Sequence, residues 1–215
     1  MAEFLVGRLY AWPEFGEEGQ DIWLLHLGDP AFFLRVIRRP EGSLPSGEVA
    51  DLAFPLKSDA RFALGNLMFL DPHAAEAREV ARLLAGAIDA IHDDTVADRL
   101  ALDRRPFDPV PEPILADDRP KGFLIGVVYE PRSSRVDAAW WIAHIGLPSF
   151  VMRVSDPTDE TLEEGDMWAT VDGGAVLSHP RFLTAVACDA DELRHLAQAG
   201  AEVIRESAAD DMAVT

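Results

Sequence analysis

"WLLHLGDPAFFLRV", residues 23–36, returns as "WIAHIGLPSFVMRV", residues 141–154. A second pair, "FLVGRLY" (4–10) and "FLIGVVY" (123–129), stands at nearly the same offset, 119 residues against 118. Eleven of the 21 aligned positions are identical. Self-similarity at a fixed offset marks a duplicated unit. Further along, "SGEV" (46–49) answers "EGDM" (164–167), and "SDARF" (58–62) answers "SHPRF" (178–182). Each copy closes on a segment of helical period. Val80, Leu83, Leu84, Ala87, Ile88 and Ile91 form one apolar stripe, and Leu193, Leu196, Ala197, Gly200, Ala201 and Ile204 repeat it 113 residues later.

Outward from the repeat, alternating patterns predict strands at 4–10, 21–27, 31–37, 48–54 and 62–70, then a helix from about residue 73. The second copy predicts strands at 123–130, 138–145, 149–154 and 166–171, with a fifth within 175–187. Asp71-Pro72 and the Asp189/Glu192 pair are helix-start signals, and "DGG" (172–174) is a turn signal. The fold class expected is α+β: two tandem copies of an antiparallel β-meander sheet, each backed by its C-terminal helix and related by a pseudo-two-fold axis. Residues 1–92 form the first repeat and 121–207 the second. Residues 93–120 form a Pro-rich acidic linker with room for a short helix, and 208–215 a disordered tail. Phe107, Val110, Ile114 and Leu115 suggest that the linker docks on the repeats.

Short turns at "GDP" and "GLP" set the register between the second and third strands, because a slip of one residue would exchange the faces. His26 then opposes Phe32, Leu24 opposes Leu34 and Trp23 opposes Arg35, with Gly7 placed beside Trp23. One face carries Phe4, Val6, Ile22, Leu24, His26, Phe32 and Leu34, and Trp140, Ile142 and His144 in the second copy. It is bulky and apolar, so the helix should cover it and bury Trp140. The other face carries Trp23 and Trp141, each between a glycine that gives the indole room and an arginine (Arg35, Arg153) that can stack on it. One helix cannot cover two faces, so this second face needs the other copy, the linker or a partner.

The chain has 215 residues, 48% of them hydrophobic, and a formal net charge of −19. Such charge repels nucleic-acid backbones and anionic membranes, which argues against both as partners. Cys188 is the single cysteine, so no internal disulfide forms and a reducing compartment is expected. Lysine is confined to Lys57 and Lys121 against 17 arginines. No signal-peptide pattern opens the sequence. The longest uncharged run, 138–152, has 15 residues and includes His144 and Pro148, too short to span a bilayer. A cytoplasmic location is expected.

His26 and His144 recur in H-x-G-x-P and are the catalytic candidates. Each is read first as a packed histidine hydrogen-bonded to a turn carbonyl. No carboxylate or cysteine stands at ligand spacing from either, so no metal is expected. The histidines at 73, 92, 179 and 195 read as solvated, and the acidic stretches "EFGEEGQD" (14–21) and "DETLEEGD" (159–166) as solvated loops. Cys188, near a helix start, could have a lowered pKa but reads as a small packed residue. No P-loop, nucleophile elbow, zinc-protease or dinucleotide pattern occurs. The function expected is a non-catalytic acidic protein-binding module of the chaperone, immunity or assembly-factor kind. It would bind a basic partner through Trp23, Arg35, Trp141 and Arg153, without cofactor, as a monomeric pseudo-dimer or a homodimer. The alternative is a small-molecule enzyme or ligand-binding protein using His26 or His144 in a pocket between sheet and helix.

Overall fold

The computed structural model describes residues 3–11, 22–38, 53–55, 62–70, 77–93, 95, 96, 99, 122–131, 133, 135–158, 162, 166–171, 174–186 and 188–213. The elements are β1 (Phe4–Ala11), β2 (Ile22–His26), β3 (Phe32–Arg38), β4 (Ala53–Pro55), β5 (Phe62–Phe69), α1 (Ala77–His92), β6 (Gly122–Glu130), β7 (Arg135–His144), β8 (Phe150–Ser155), β9 (Met167–Thr170), β10 (Val176–Phe182) and α2 (Ala190–Ala213). The chain is α+β, with a large antiparallel sheet and a C-terminal helix. The sequence reading separates two sheets, whereas the structure joins the strands into one, ordered β4-β5-β3-β2-β1-β6-β7-β8-β10-β9. The meander stops at the third strand on each side, where the fifth strand inserts before the fourth.

The joint is β1 against β6, with Gly7 opposite Gly126. A Cβ on Gly7 would collide with the Ile125 carbonyl and lie 2.7 Å from the Gly126 Cα; one on Gly126 would collide with the Val6 carbonyl, 2.6 Å from the Gly7 Cα. Glycine in a strand often marks such close backbone approach. Hence the two glycines serve the strand joint, where room for the indoles was the role expected of them.

Around the joint the expected registers hold: Gly7 lies opposite Trp23 and Trp23 opposite Arg35, as Gly126 does with Trp141 and Trp141 with Arg153. The fifth strand departs from expectation. Phe69 opposes Phe32 and Phe182 opposes Phe150, while Phe62 opposes Arg38. The structural counterpart of "SHPRF" (178–182) is therefore "GNLMF" (65–69), at the helices' offset of 113. A register shift in each strand pair, between Phe33 and Arg35 and between Ser178 and Arg181, accompanies this pairing.

Helix α1 lays Leu83, Leu84, Ala87, Ala90 and Ile91 on Phe4, Val6, Leu24, Phe32 and Leu34. Helix α2 lays Leu193, Leu196, Ala197, Ala201 and Val203 on Phe123, Ile142, Phe150 and Met152. Gly200 allows the approach, since a Cβ there would come within 3.0 Å of Ile142 and 3.2 Å of Phe123. Trp140 contradicts the expectation of burial: it shares this face but is 41% exposed. The two helices sit differently, α1 against β1 and α2 chiefly against the outer strand β9. Trp140, one pleat beyond Ile142 on β7, lies past the cover of α2, whereas Ile22 in the first half joins the core under α1.

The second face is also interior. Leu5, Trp23, Leu25, Phe33, Leu124, Ala143 and Val151 form one buried cluster, against which Trp141 and Leu183 pack. In a flat sheet, four strand steps would hold β1 and β10 about 19 Å apart. Instead Arg181 on β10 pairs with Glu3 at 3.0 Å, so the sheet coils until its second half reaches the start of its first.

Local signals at the helix ends behave as chemistry requires. The amides of Asp191 and Glu192 donate to Asp189 Oδ1 at 3.0 and 2.8 Å, the expected N-cap. The tail expected to be disordered from 208 is corrected, because α2 continues to Ala213 through a stretch without glycine or proline. After α1, Asp93 accepts from the amides of Thr95 and Val96 at 3.0 and 3.2 Å, and Val96 is fully buried in the α1 core. Asp71, Pro72, His73, Phe107, Val110, Ile114, Leu115 and the acidic stretch 14–21 lie outside the described residues.

Candidate functional site

Each H-x-G-x-P motif builds the same turn. Nδ1 of His26 meets the Pro30 carbonyl at 2.7 Å, and Nδ1 of His144 meets the Pro148 carbonyl at 2.7 Å. A carbonyl only accepts, so Nδ1 carries the proton in both rings. The imidazoles are wedged between aromatics: His26 between Phe4 (5.1 Å) and Phe32 (4.9 Å), His144 between Phe123 (5.1 Å) and Phe150 (5.4 Å). Gly146 is required because a Cβ there would press on the His144 ring at 2.7 Å. In the second copy histidine, glycine and proline of the motif thus all serve the turn. His26 Nε2 is buried and has no hydrogen-bond partner among the described residues.

Burial pushes both imidazole pKa values below the ordinary 6.5, against the opposing effect of the proline carbonyls. The folded chain therefore keeps both rings neutral to lower pH than the unfolded chain does. Above about pH 6.5 neither state gains a proton and this contribution is flat; as pH falls below it, the unfolded state protonates first and stability drops. Urea midpoints measured from about pH 7.5 to 5.5 are expected to fall, and His144→Gln should flatten part of that slope. An unchanged slope would count against burial as its source.

The tryptophan–arginine pairs are less alike than their sequences. Trp23 is 4% exposed, packed on Phe33 at 5.5 Å, with the Arg35 guanidinium 5.8 Å from its ring. Trp141 is half-buried and its indole N–H donates to Asp137 Oδ2 at 3.3 Å. Arg35 and Arg153 are also half-buried. The four residues lie on one continuous face, and Trp23 is within its core.

Two groupings escaped the sequence reading. In the first, His179, in the left-handed region at φ 52°, places Nδ1 3.0 Å from Ser178 Oγ and Nε2 4.0 Å from Asp166. Ser178 Oγ in turn meets Ser155 Oγ at 2.7 Å. Serine, histidine and aspartate suggest nucleophilic chemistry, but Ser178 is fully buried and no substrate can reach its oxygen. This run of contacts lies where the register of β10 shifts. His179 is exposed, as expected of a solvated ring, and also engages Ser178 and Asp166. Residue-spacing rules miss it because β9 and β10 meet only through the sheet.

The second grouping is a cleft of about 410 Å³ between the β2–β3 turn (27–31) and the end of β10, lined by Asp29 and Pro30 on one side and Phe182 and Leu183 on the other. Its walls come from opposite halves of the chain, and only the coil of the sheet brings them together. Asp29 is exposed and Phe182 is 43% exposed. Cys188 offers no activated thiol, since burial and the nearby Glu192 and Asp189 carboxylates push its pKa up, opposite to the lowering considered for a helix start. Among the described residues no group of three or more His, Cys, Asp or Glu could hold a metal ion, and no helix is long and apolar enough to cross a membrane.

The site and fold therefore define an α+β chain built on one coiled antiparallel sheet, with a composite surface cleft. Comparison with protein-family models, curated proteins and solved structures finds no match.

Proposed function

We propose that the chain is a non-catalytic acidic binding module: two fused copies of one repeat, pseudo-two-fold about the Gly7–Gly126 joint, that engage a basic protein. Read outward from that joint, each half follows the order first, second, third, fifth, fourth strand, which supports the duplication. One observation carries the non-catalytic reading. The histidines repeated in both copies commit Nδ1 to the same turn carbonyl and their rings to the same aromatic wedge, a structural use of the motif. Trp23 holds the interior together, while Arg35, Trp141 and Arg153 keep partial exposure at the rim, where a partner can reach them. The net charge of −19 attracts a basic protein to the chain as a whole.

The test is recovery of bound protein by the immobilised full chain from host lysate, compared with a Trp141→Ala, Arg153→Ser variant of verified fold. A basic partner retained by the parent and lost from the variant is expected. Equal recovery, or partners of acidic charge alone, overturns the assignment. A turnover abolished by His144→Gln with the fold intact would transfer the protein to the small-molecule reading.

A further inference from the structure

We propose that the cleft between the β2–β3 turn and the end of β10 receives a cationic side chain, arginine or lysine, of the basic partner. The inference rests on the binding-module reading and names its contact point. A volume of about 410 Å³ falls within the range of small-molecule sites and accommodates one long side chain. Its lining joins an exposed carboxylate, Asp29, to a half-exposed aromatic ring, Phe182, over the apolar floor of Leu27 and Leu183. Carboxylate, aromatic face and apolar stem contacts are the three features a lysine or arginine side chain uses. Phe182 is held in orientation by Phe150, whose ring meets it edge-on at 6.3 Å and 67°. Arg181, the neighbour of Phe182 in the chain, is paired with Glu3 at 3.0 Å, so its charge is balanced. Where the first copy reads "GDP", the second reads "GLP" and places Leu147, so the carboxylate occurs at one turn only and the stoichiometry is one to one.

The experiment titrates the full chain with blocked tripeptides, acetyl-Gly-X-Gly-amide with X arginine, lysine, norleucine or glutamate, at physiological salt, following backbone amide shifts. Saturable shifts at 28–31 and 182–183 are expected for arginine and lysine. Asp29→Asn should weaken them about fivefold, the upper range for an exposed ion pair. Phe182→Leu, which keeps the packing on Phe150, should weaken them about threefold. Asp191→Asn, at a highly exposed carboxylate on α2, should leave affinity unchanged. Norleucine binding as well as arginine would show an apolar cleft and overturn the proposal. Equal effects of Asp29→Asn and Asp191→Asn would overturn it too, as diffuse attraction to an acidic surface. If no tripeptide binds while the lysate experiment still yields a basic partner, the cleft assignment falls and the binding-module reading stands.

Discussion

Gly126→Ala and Gly7→Ala are each expected to destabilise the chain by about 3 kcal/mol or more, near the upper end of overpacking effects. The atom each methyl would strike belongs to the backbone of the facing strand, Val6 or Ile125, and a ladder carbonyl cannot turn aside as a side chain can. Relief requires separating β1 from β6 where the two halves join, which would expose two strand edges and invite aggregation. Gly200→Ala is the control. Its added methyl meets the side chains of Ile142 and Phe123 at 3.0 and 3.2 Å, and those can yield by a few tenths of an ångström. The helical gain of about 1 kcal/mol then offsets the crowding, leaving Gly200→Ala within about 1 kcal/mol of the parent. Urea unfolding of the three variants decides the matter; comparable losses at Gly200 and Gly126 would refute the role given to the joint.

The second large effect separates two tryptophans. Trp23→Ala should cost about 3–5 kcal/mol, the usual loss for a large buried aromatic. It is a substantial share of the roughly 5–15 kcal/mol that holds such a chain folded. Trp140→Ala, at a side chain 41% exposed, should cost about 1 kcal/mol. Denaturant midpoints at unchanged slope measure both. A larger loss at Trp140 than at Trp23 would mean that the faces of the sheet are assigned the wrong way round.

Much of this is local and therefore legible in the residues. Alternation placed Trp23 opposite Arg35 and Trp141 opposite Arg153, because a strand's two faces follow from period two and a short turn leaves little freedom of register. The same logic assigned Phe4, Leu24 and Phe32 to the helix side and the histidines of H-x-G-x-P to a turn carbonyl. What failed was non-local. Whether Trp140 is covered depends on where α2 comes to rest, and its seat against β9 is set by packing across residues far apart in sequence. The pairing of "SHPRF" with "GNLMF" depends on a register shift in a strand whose partners lie 21 to 32 positions away, from Ser155 for Val176 to Phe150 for Phe182. The meaning of Gly7 and Gly126 could not be read from either copy alone, since each is required by the other's backbone. The cleft is the extreme case. Asp29 and Phe182 are 153 positions apart in the sequence, and only the coil that carries Arg181 to Glu3 makes them neighbours. Periodicity dictates what each strand shows to its two sides; how far a sheet coils is decided by the sum of its packing, and that sum exists only in the folded chain.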